Sequence, residues 1–238
     1  MGNDLVNLYV GPKKEHFYVN KDKLCAKVPY FDKMFKGGFL EAANKSATFP
    51  EDNPADFDLL IRWIYEDVIE PLEPDMPTKC PAGTQFTFDD DYLGFYVFAE
   101  KLCVPELQDR IMDALLAQLK STQSILWGDT IKLVYKQTSE NSPMRKLAVY
   151  TVKYVLECRS FQKLCPVSEV QEILQSHEEF LPDLLTLQRE CAYTADGEYK
   201  VVDPSRIEDA CQFHCHGKEG CYLTKRKNTC EEDASGMI

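Results

Sequence analysis

Four residues near the end of the 238-residue chain have the types and spacing to hold a soft metal ion. They are Cys211, His214, His216 and Cys221, in the pattern Cys-x2-His-x-His-x4-Cys. Two thiolates and two imidazoles in one short loop are a donor set for tetrahedral Zn2+. Phe213 and Gly220 suit a tight knuckle, Cys215 is a substitute ligand, and Cys230 is a more distant one. The spacing is not that of a standard zinc finger or knuckle, and a polar tail whose Cys and His pack or stay free accounts for the same residues. With four protein ligands a bound ion would be structural, because no coordination position stays open for a substrate. Lys225-Arg226-Lys227 is a short basic run, read as a solvated charge cluster rather than an import signal.

Catalytic motifs are missing. Val10-Gly11-Pro12 lacks the Gly-Lys-Ser/Thr of a phosphate-binding loop. There is no Gly-x-Ser-x-Gly elbow and no His-Glu-x-x-His on a helix. No catalytic residue is assigned, and the chain is read as a non-enzyme. The net charge of −12 and pI of about 4.9 disfavour nucleic acid and anionic membranes, which need clustered Lys and Arg. No run of about 20 apolar residues predicts a transmembrane helix. The polar N-terminus enters a strand directly, without a secretory leader, so the expected compartment is intracellular, cytoplasmic or nuclear. The ten cysteines are then thiols rather than a disulfide framework. Cys25, Cys103, Cys158 and Cys191 sit in helical patterns as small buried hydrophobes.

The elements that position these residues read in order. Leu5 to Val10 is a strand, Gly11-Pro12 a turn, and His16-Phe17-Tyr18-Val19 a second strand. Asn20 suits the N-cap of the next helix. Tyr30, Phe31, Met34 and Phe35 share one face of another helix, which ends at Gly37-Gly38. Ala47-Thr48-Phe49 is a short strand, and Pro54 opens a helix with Phe57, Leu60, Ile61 and Ile64 inward. Pro71, Pro74, Pro77 and Pro81 forbid a continuous helix across an acidic loop, residues 67–88. Asp89-Asp90-Asp91 opens a helix with Tyr92, Phe95, Tyr96 and Ala99 inward, and Pro105 starts the next, burying Leu107, Ile111, Ala114 and Leu115. The second half is helical. Ile125, Leu126, Ile131, Val134 and Tyr135 mark one helix, and Ser142-Pro143 caps another bearing Leu147, Tyr150, Thr151 and Tyr154. Val167 to Gln175 is a third, and His177 to Glu190 is a fourth that Pro182 kinks or restarts. From Tyr193 the chain turns polar, and residues 231–238 are expected to be disordered.

The runs VNLYVGPKKEHFYVNKDKLC, PYFDKMFKGGFLEA, TFPEDNPADFDLLIRWIYE and YVFAEKLCVPELQDRIMDAL resemble the BTB/POZ family, in the form common in filamentous fungi. The resemblance implies an α+β fold, a small mixed sheet flanked by helices, over residues 4–121, with 67–88 as a loop insertion. An all-helical extension, residues 122–192, takes the place of the BACK-like helices that follow many such domains. A polar Cys/His-containing tail, residues 193–238, completes the chain. Asn20 stands where the family usually has His before the first helix's Lys. The N-terminal residues are too few for the extra helix and strand that longer family members exchange between subunits. A homodimer through another surface stays open.

Protein–protein interaction is the function this resemblance implies. In adaptors of cullin-type ubiquitin ligases, a hydrophobic residue, any residue and then Glu recur after the second core helix. Phe39 and Glu41 match by position, as an aromatic anchor and a rim charge, and are the residues expected to meet a cullin scaffold. The alternative is a self-associating scaffold or transcription-associated protein with no ligase role. Without a docking role, Phe39 packs on its own domain and Glu41 is solvated. No kelch or MATH domain follows, so an adaptor would hold its target through the helical half, the acidic loop or the tail.

Overall fold

The computed structural model describes residues 4–69, 78–79, 85–86, 90–162, 164–190, 203–207, 209–216 and 220–223. Strand β1 (Leu5–Val10) is the centre of a three-stranded sheet of order β2-β1-β3. It pairs antiparallel with β2 (Glu15–Asn20) and parallel with β3 (Ser46–Phe49). Val6, Leu8 and Val10 of β1 all turn to one face and are fully buried, as the period-2 alternation of a half-covered sheet requires. Gly11 makes the turn between β1 and β2 at φ +74°, a conformation that costs glycine little.

Helices α1 (Lys21–Lys27), α2 (Pro29–Lys36), the short α3 (Leu40–Asn44) and α4 (Pro54–Glu66) cover the sheet. Their starts are set by local chemistry. The Asn20 side chain accepts from the Lys23 amide at 3.0 Å, and the Asn53 side chain accepts from the Ala55 amide at 3.1 Å, each satisfying a donor that the first helical turn leaves unpaired. Pro29, Pro54 and, later, Pro105 and Pro143 sit at first-turn positions, where a missing N–H is harmless. Phe57 of α4 is the hub of the core. Its ring centroid lies 4.8 Å from Phe98, 5.1 Å from Phe49, 6.2 Å from Phe17 and 6.5 Å from Phe31.

A two-stranded hairpin, β4 (Thr78–Lys79) with β5 (Gln85–Phe86), lies in the acidic loop. Helices α5 (Asp90–Lys101) and α6 (Pro105–Thr122) follow as a packed pair. Then come α7 (Asp129–Gln137), α8 (Pro143–Glu157), α9 (Val167–Gln175) and α10 (Phe180–Glu190). One continuous apolar core runs from Val6 of β1 to Phe213 of the tail. Arg145 on α8 ties the second half together. Its guanidinium donates to the carbonyls of Tyr135 at 2.9 Å and Thr138 at 2.7 Å and pairs with Glu179, satisfying carbonyls at the end of α7 that no helical amide reaches. Among the described residues no helix is long and apolar enough to cross a membrane.

The expected α+β architecture with a helical second half is what the chain adopts, with several local corrections. Phe31 and Phe35 are buried, but Tyr30 is exposed and Met34 half-buried, because the face of a single helix is narrower than four residues at i, i+1, i+4 and i+5 demand. Ile125 and Leu126 are buried but precede the helix. Gly128, at φ +59°, forms its N-cap, so α7 begins only at Asp129. Ser142 occupies the N-cap of α8 without capping it, its hydroxyl lying 3.3 Å from that of Tyr96. Helix α10 starts at Phe180 with Pro182 inside its first turn, so the proline sets the start rather than kinking a longer helix. Cys25 is buried as expected, whereas Cys103 is exposed and Cys158 half-buried. Cys103 takes a left-handed conformation (φ 55°) in the α5–α6 turn, and Cys158 is the C-cap of α8. Cys191, Lys225-Arg226-Lys227, Cys230 and residues 231–238 lie outside the described residues.

The hub role of Phe57 sets a stability test. Phe57→Ala should lower the unfolding free energy by about 3–5 kcal/mol, read as a fall in the urea midpoint. Phe57→Leu, which keeps most of the volume, should cost clearly less.

Candidate functional site

Two sites stand out. The first is an apolar groove beside Phe39. Helix α2 ends at Gly37, and the chain turns back so that Phe39 becomes the N-cap of α3. Gly37 is extended (φ −78°) rather than left-handed, so its role is close approach. A Cβ there would meet the Lys33 carbonyl oxygen at 2.5 Å and the Phe39 ring at 2.9 Å. The ring therefore lies against bare backbone, yet Phe39 is 61% exposed and its neighbour Leu40 77%. Pro29, Tyr30, Met34, Leu102 and Cys103 line the groove with Phe39, and Lys33 and Glu41 stand at its edge. Phe39 and Glu41, paired by sequence position, share this one surface. The groove walls contributed by Leu102 and Cys103 were not anticipated, because the turn that carries them is far away in sequence.

The second site is where the tail meets α6. Cys211 ends up in a short 3-10 turn, Ala210–Phe213, whose start is capped by Asp209. Phe213 is fully buried, its ring edge-on to Tyr150 at 5.4 Å, and this anchor carries His214 inward. The ligating atoms of Cys211, His214, His216 and Cys221 all lie within 4.8 Å of one another. Cys211 Sγ is 3.7 Å from Cys221 Sγ, His214 Nδ1 is 2.9 Å from His216 Nε2, and Cys221 Sγ is 4.0 Å from His214 Nδ1. Cys215, the substitute ligand, points elsewhere, its Sγ lying 3.9 Å from the Tyr96 hydroxyl.

Two carboxylates of α6, one turn apart, receive this tail. Asp113 Oδ1 lies 2.9 Å from His214 Nε2, and its other oxygen accepts from the Tyr222 hydroxyl. Asp109, only 2% exposed, accepts from the Cys215 amide at 2.5 Å, and its Oδ2 lies 3.7 Å from His216 Nε2. Arg110 adds its guanidinium over the Tyr222 ring, at 4.9 Å. Burial raises the Asp109 pKa, against the Cys215 amide and both imidazoles, which favour its charge. Burial alone would lower His214, but the hydrogen bond and charge of Asp113, with the charge of Asp109, hold it above the ordinary imidazole value. Burial and the neighbouring Cys221 push the Cys211 thiol up to about 11. Burial also opposes the Cys221 thiolate. The Leu223 amide, Cys211 and the two histidines outweigh that and bring its pKa below that of a free thiol. Cys221, His214 and Asp113 follow the order of a thiol–imidazole–carboxylate arrangement, with Cys221 and His214 both buried. What the four donors can do is bind a cation.

The model of the BTB/POZ domain family matches residues 4–119. Residues 4–119 form a BTB/POZ domain. A search of curated proteins finds no match to the chain. BTB/POZ domains are protein-interaction modules. Phe39 and its groove lie within the domain, and α6 is its last helix, so Asp109 and Asp113 belong to the domain while the residues they hold come from beyond it. The carboxylates went unnoticed in the sequence, where two acids at i and i+4 on an amphipathic helix look like an ordinary solvated face. Their one available signal was position, next to Leu107, Gln108 and Ile111 on the buried side of α6.

The tight seat of Phe39 yields a paired test. Gly37→Ala should destabilise the BTB/POZ domain by about 1–3 kcal/mol through overpacking. Gly38→Ala, whose Cβ meets nothing within 4 Å, should change it by no more than about 0.5 kcal/mol. Chemical denaturation of the two variants side by side separates them.

Proposed function

We propose that the chain is a protein-interaction adaptor whose BTB/POZ domain docks onto the N-terminal domain of a cullin-type ubiquitin-ligase scaffold through the Phe39 face. The observation that carries this reading is the pose of Phe39, a large aromatic left 61% exposed at the lip of an apolar groove. A half-exposed aromatic beside a concave apolar surface is the anatomy of an interaction hot spot. The ring supplies area to be buried, the groove receives a side chain from the partner, and the flanking charges exclude water and orient the pair. Glu41 and Lys33 at the edge suit that orienting role. The resemblance of Phe39-Leu40-Glu41 to the docking motif of cullin adaptors supports the choice of partner. In such an adaptor α7 to α10 offer a folded surface for the target beyond the docking domain.

Calorimetry against a cullin N-terminal domain tests the reading. The wild-type chain should bind at low-micromolar or tighter affinity. Phe39→Ala should weaken binding about 30-fold or more, the loss of a hot-spot residue, with an unchanged melting temperature. Glu41→Ala should give a smaller loss that shrinks as salt is raised. A folded wild type that fails to bind and sediments with a concentration-dependent mass would overturn the adaptor reading in favour of a self-associating scaffold.

A further inference from the structure

The tail cluster is independent of the docking face, and its geometry carries a separate conclusion. We propose that Cys211 Sγ, His214 Nδ1, His216 Nε2 and Cys221 Sγ bind one zinc ion, and that this ion, backed by Asp113 and Asp109, clasps the tail to the last helix of the BTB/POZ domain.

The spacing of the donors fits an ion between them. A tetrahedral zinc with Zn–S of about 2.3 Å sets its two sulfurs about 3.8 Å apart, and Cys211 and Cys221 present theirs at 3.7 Å. A disulfide would need about 2.05 Å and would give the two histidines no part. The imidazole nitrogens, at 2.9 Å, need to part only to about 3.3 Å to occupy the remaining edge of that tetrahedron. Both soft and borderline donors are present in equal number, the combination that selects zinc over the hard cations held by oxygen.

The surroundings orient the donors. Asp113 accepts the Nε2 proton of His214, which leaves the Nδ1 lone pair as the one facing the thiols. A carboxylate on the far nitrogen of a metal-ligating histidine fixes the tautomer and raises the basicity of the ligand. Asp109 sets a second carboxyl group beside His216, its Oδ2 3.7 Å from Nε2. The His214 side chain is fully buried, so the ion would sit at the seam between tail and α6 rather than in solvent. The polypeptide alone holds this seam by the Phe213 anchor, the Tyr222–Asp113 and Cys215–Asp109 hydrogen bonds, and Lys146 donating to the Gln212 carbonyl at 3.0 Å. An ion joining the four side chains would tie Cys211, His214, His216 and Cys221 together as one unit for α6 to grip. Charge balances at the ion: two thiols release their protons to solvent as the divalent ion enters, so the four-ligand site is neutral.

The full chain, purified under reducing conditions from zinc-supplied cells, should carry one zinc per molecule by elemental analysis. Replacing zinc with cobalt(II) should give the intense visible absorption of a tetrahedral ion together with thiolate-to-cobalt charge transfer. This readout needs no variant. Cys211→Ser and Cys221→Ser should each lose the charge-transfer intensity of one thiolate and most of the affinity, whereas Cys215→Ser should keep both. Asp113→Asn should weaken zinc binding about 10- to 100-fold while leaving the cobalt spectrum tetrahedral. Chelation should speed limited tryptic cleavage of the tail and leave the BTB/POZ domain intact. A folded, reduced wild type that retains no zinc and gives no tetrahedral cobalt spectrum overturns the proposal. So does metal binding that survives Cys211→Ser and Cys221→Ser. Cullin binding is unaffected by either result, so the two readings stand or fall separately.

Discussion

A buried carboxylate must be answered, and Asp109 is the group whose burial the arrangement of this molecule depends on. An ionised carboxyl group almost closed to water is costly unless donors meet it. The donor here is the Cys215 amide, with the His216 ring 3.7 Å away, and both come from the far end of the chain. Asp113, one turn along the same face but only half-buried, is met by His214 and Tyr222. Helix α6 thus has two working sides. Leu107, Ile111, Met112, Leu115 and Leu119 complete the hydrophobic core, while Asp109 and Asp113 fasten the tail. Cutting away the tail would not simply shorten the protein, because it would open both carboxylates to water and uncover the apolar surface that Phe213 fills.

The rest of the structure divides labour around that helix. The sheet, α2 and α4 converge on Phe57, and the α2–α3 corner leaves Phe39 exposed. Helices α7 to α10 add their own layer, knitted by Arg145 and by the Tyr135 hydroxyl donating to Asp183 at 2.7 Å. The single core that links these parts means that a perturbation of the helical half is felt in the BTB/POZ domain, and the reverse.

Much of this was legible in the sequence where the signals are local. The alternation of Leu5 to Val10, the Asn20 cap, the first-turn prolines of α4, α6 and α8, and the limits of α9 each depend on a few neighbouring residues and came through intact. What local signals cannot carry is the direction a residue faces once distant segments meet. Ile125 and Leu126 are apolar and buried, but nothing in their types distinguishes a helical turn from an irregular apolar segment leading to Gly128. Cys103 looks like core in a helical pattern and sits at a left-handed turn instead. The types of Cys211, His214, His216 and Cys221 pointed to metal chemistry from the start, yet the carboxylates that position them are separated from them by more than a hundred positions, at least for the Cys215–Asp109 pair (106) and the His214–Asp113 pair (101). Pairings of that separation leave no periodicity to read.

The seat of Phe39 on Gly37 has a kinetic meaning. A phenylalanine in an ordinary surface loop samples several rotamers, and ordering it on association costs roughly 0.5–1.5 kcal/mol. With its ring set against glycine backbone, this side chain has fewer of those rotamers open to it. For a partner docking there as proposed, the ring would already be close to one pose and the encounter would not wait on it. Gly37 would then act on recognition without touching the partner, by reducing the number of shapes the surface can present.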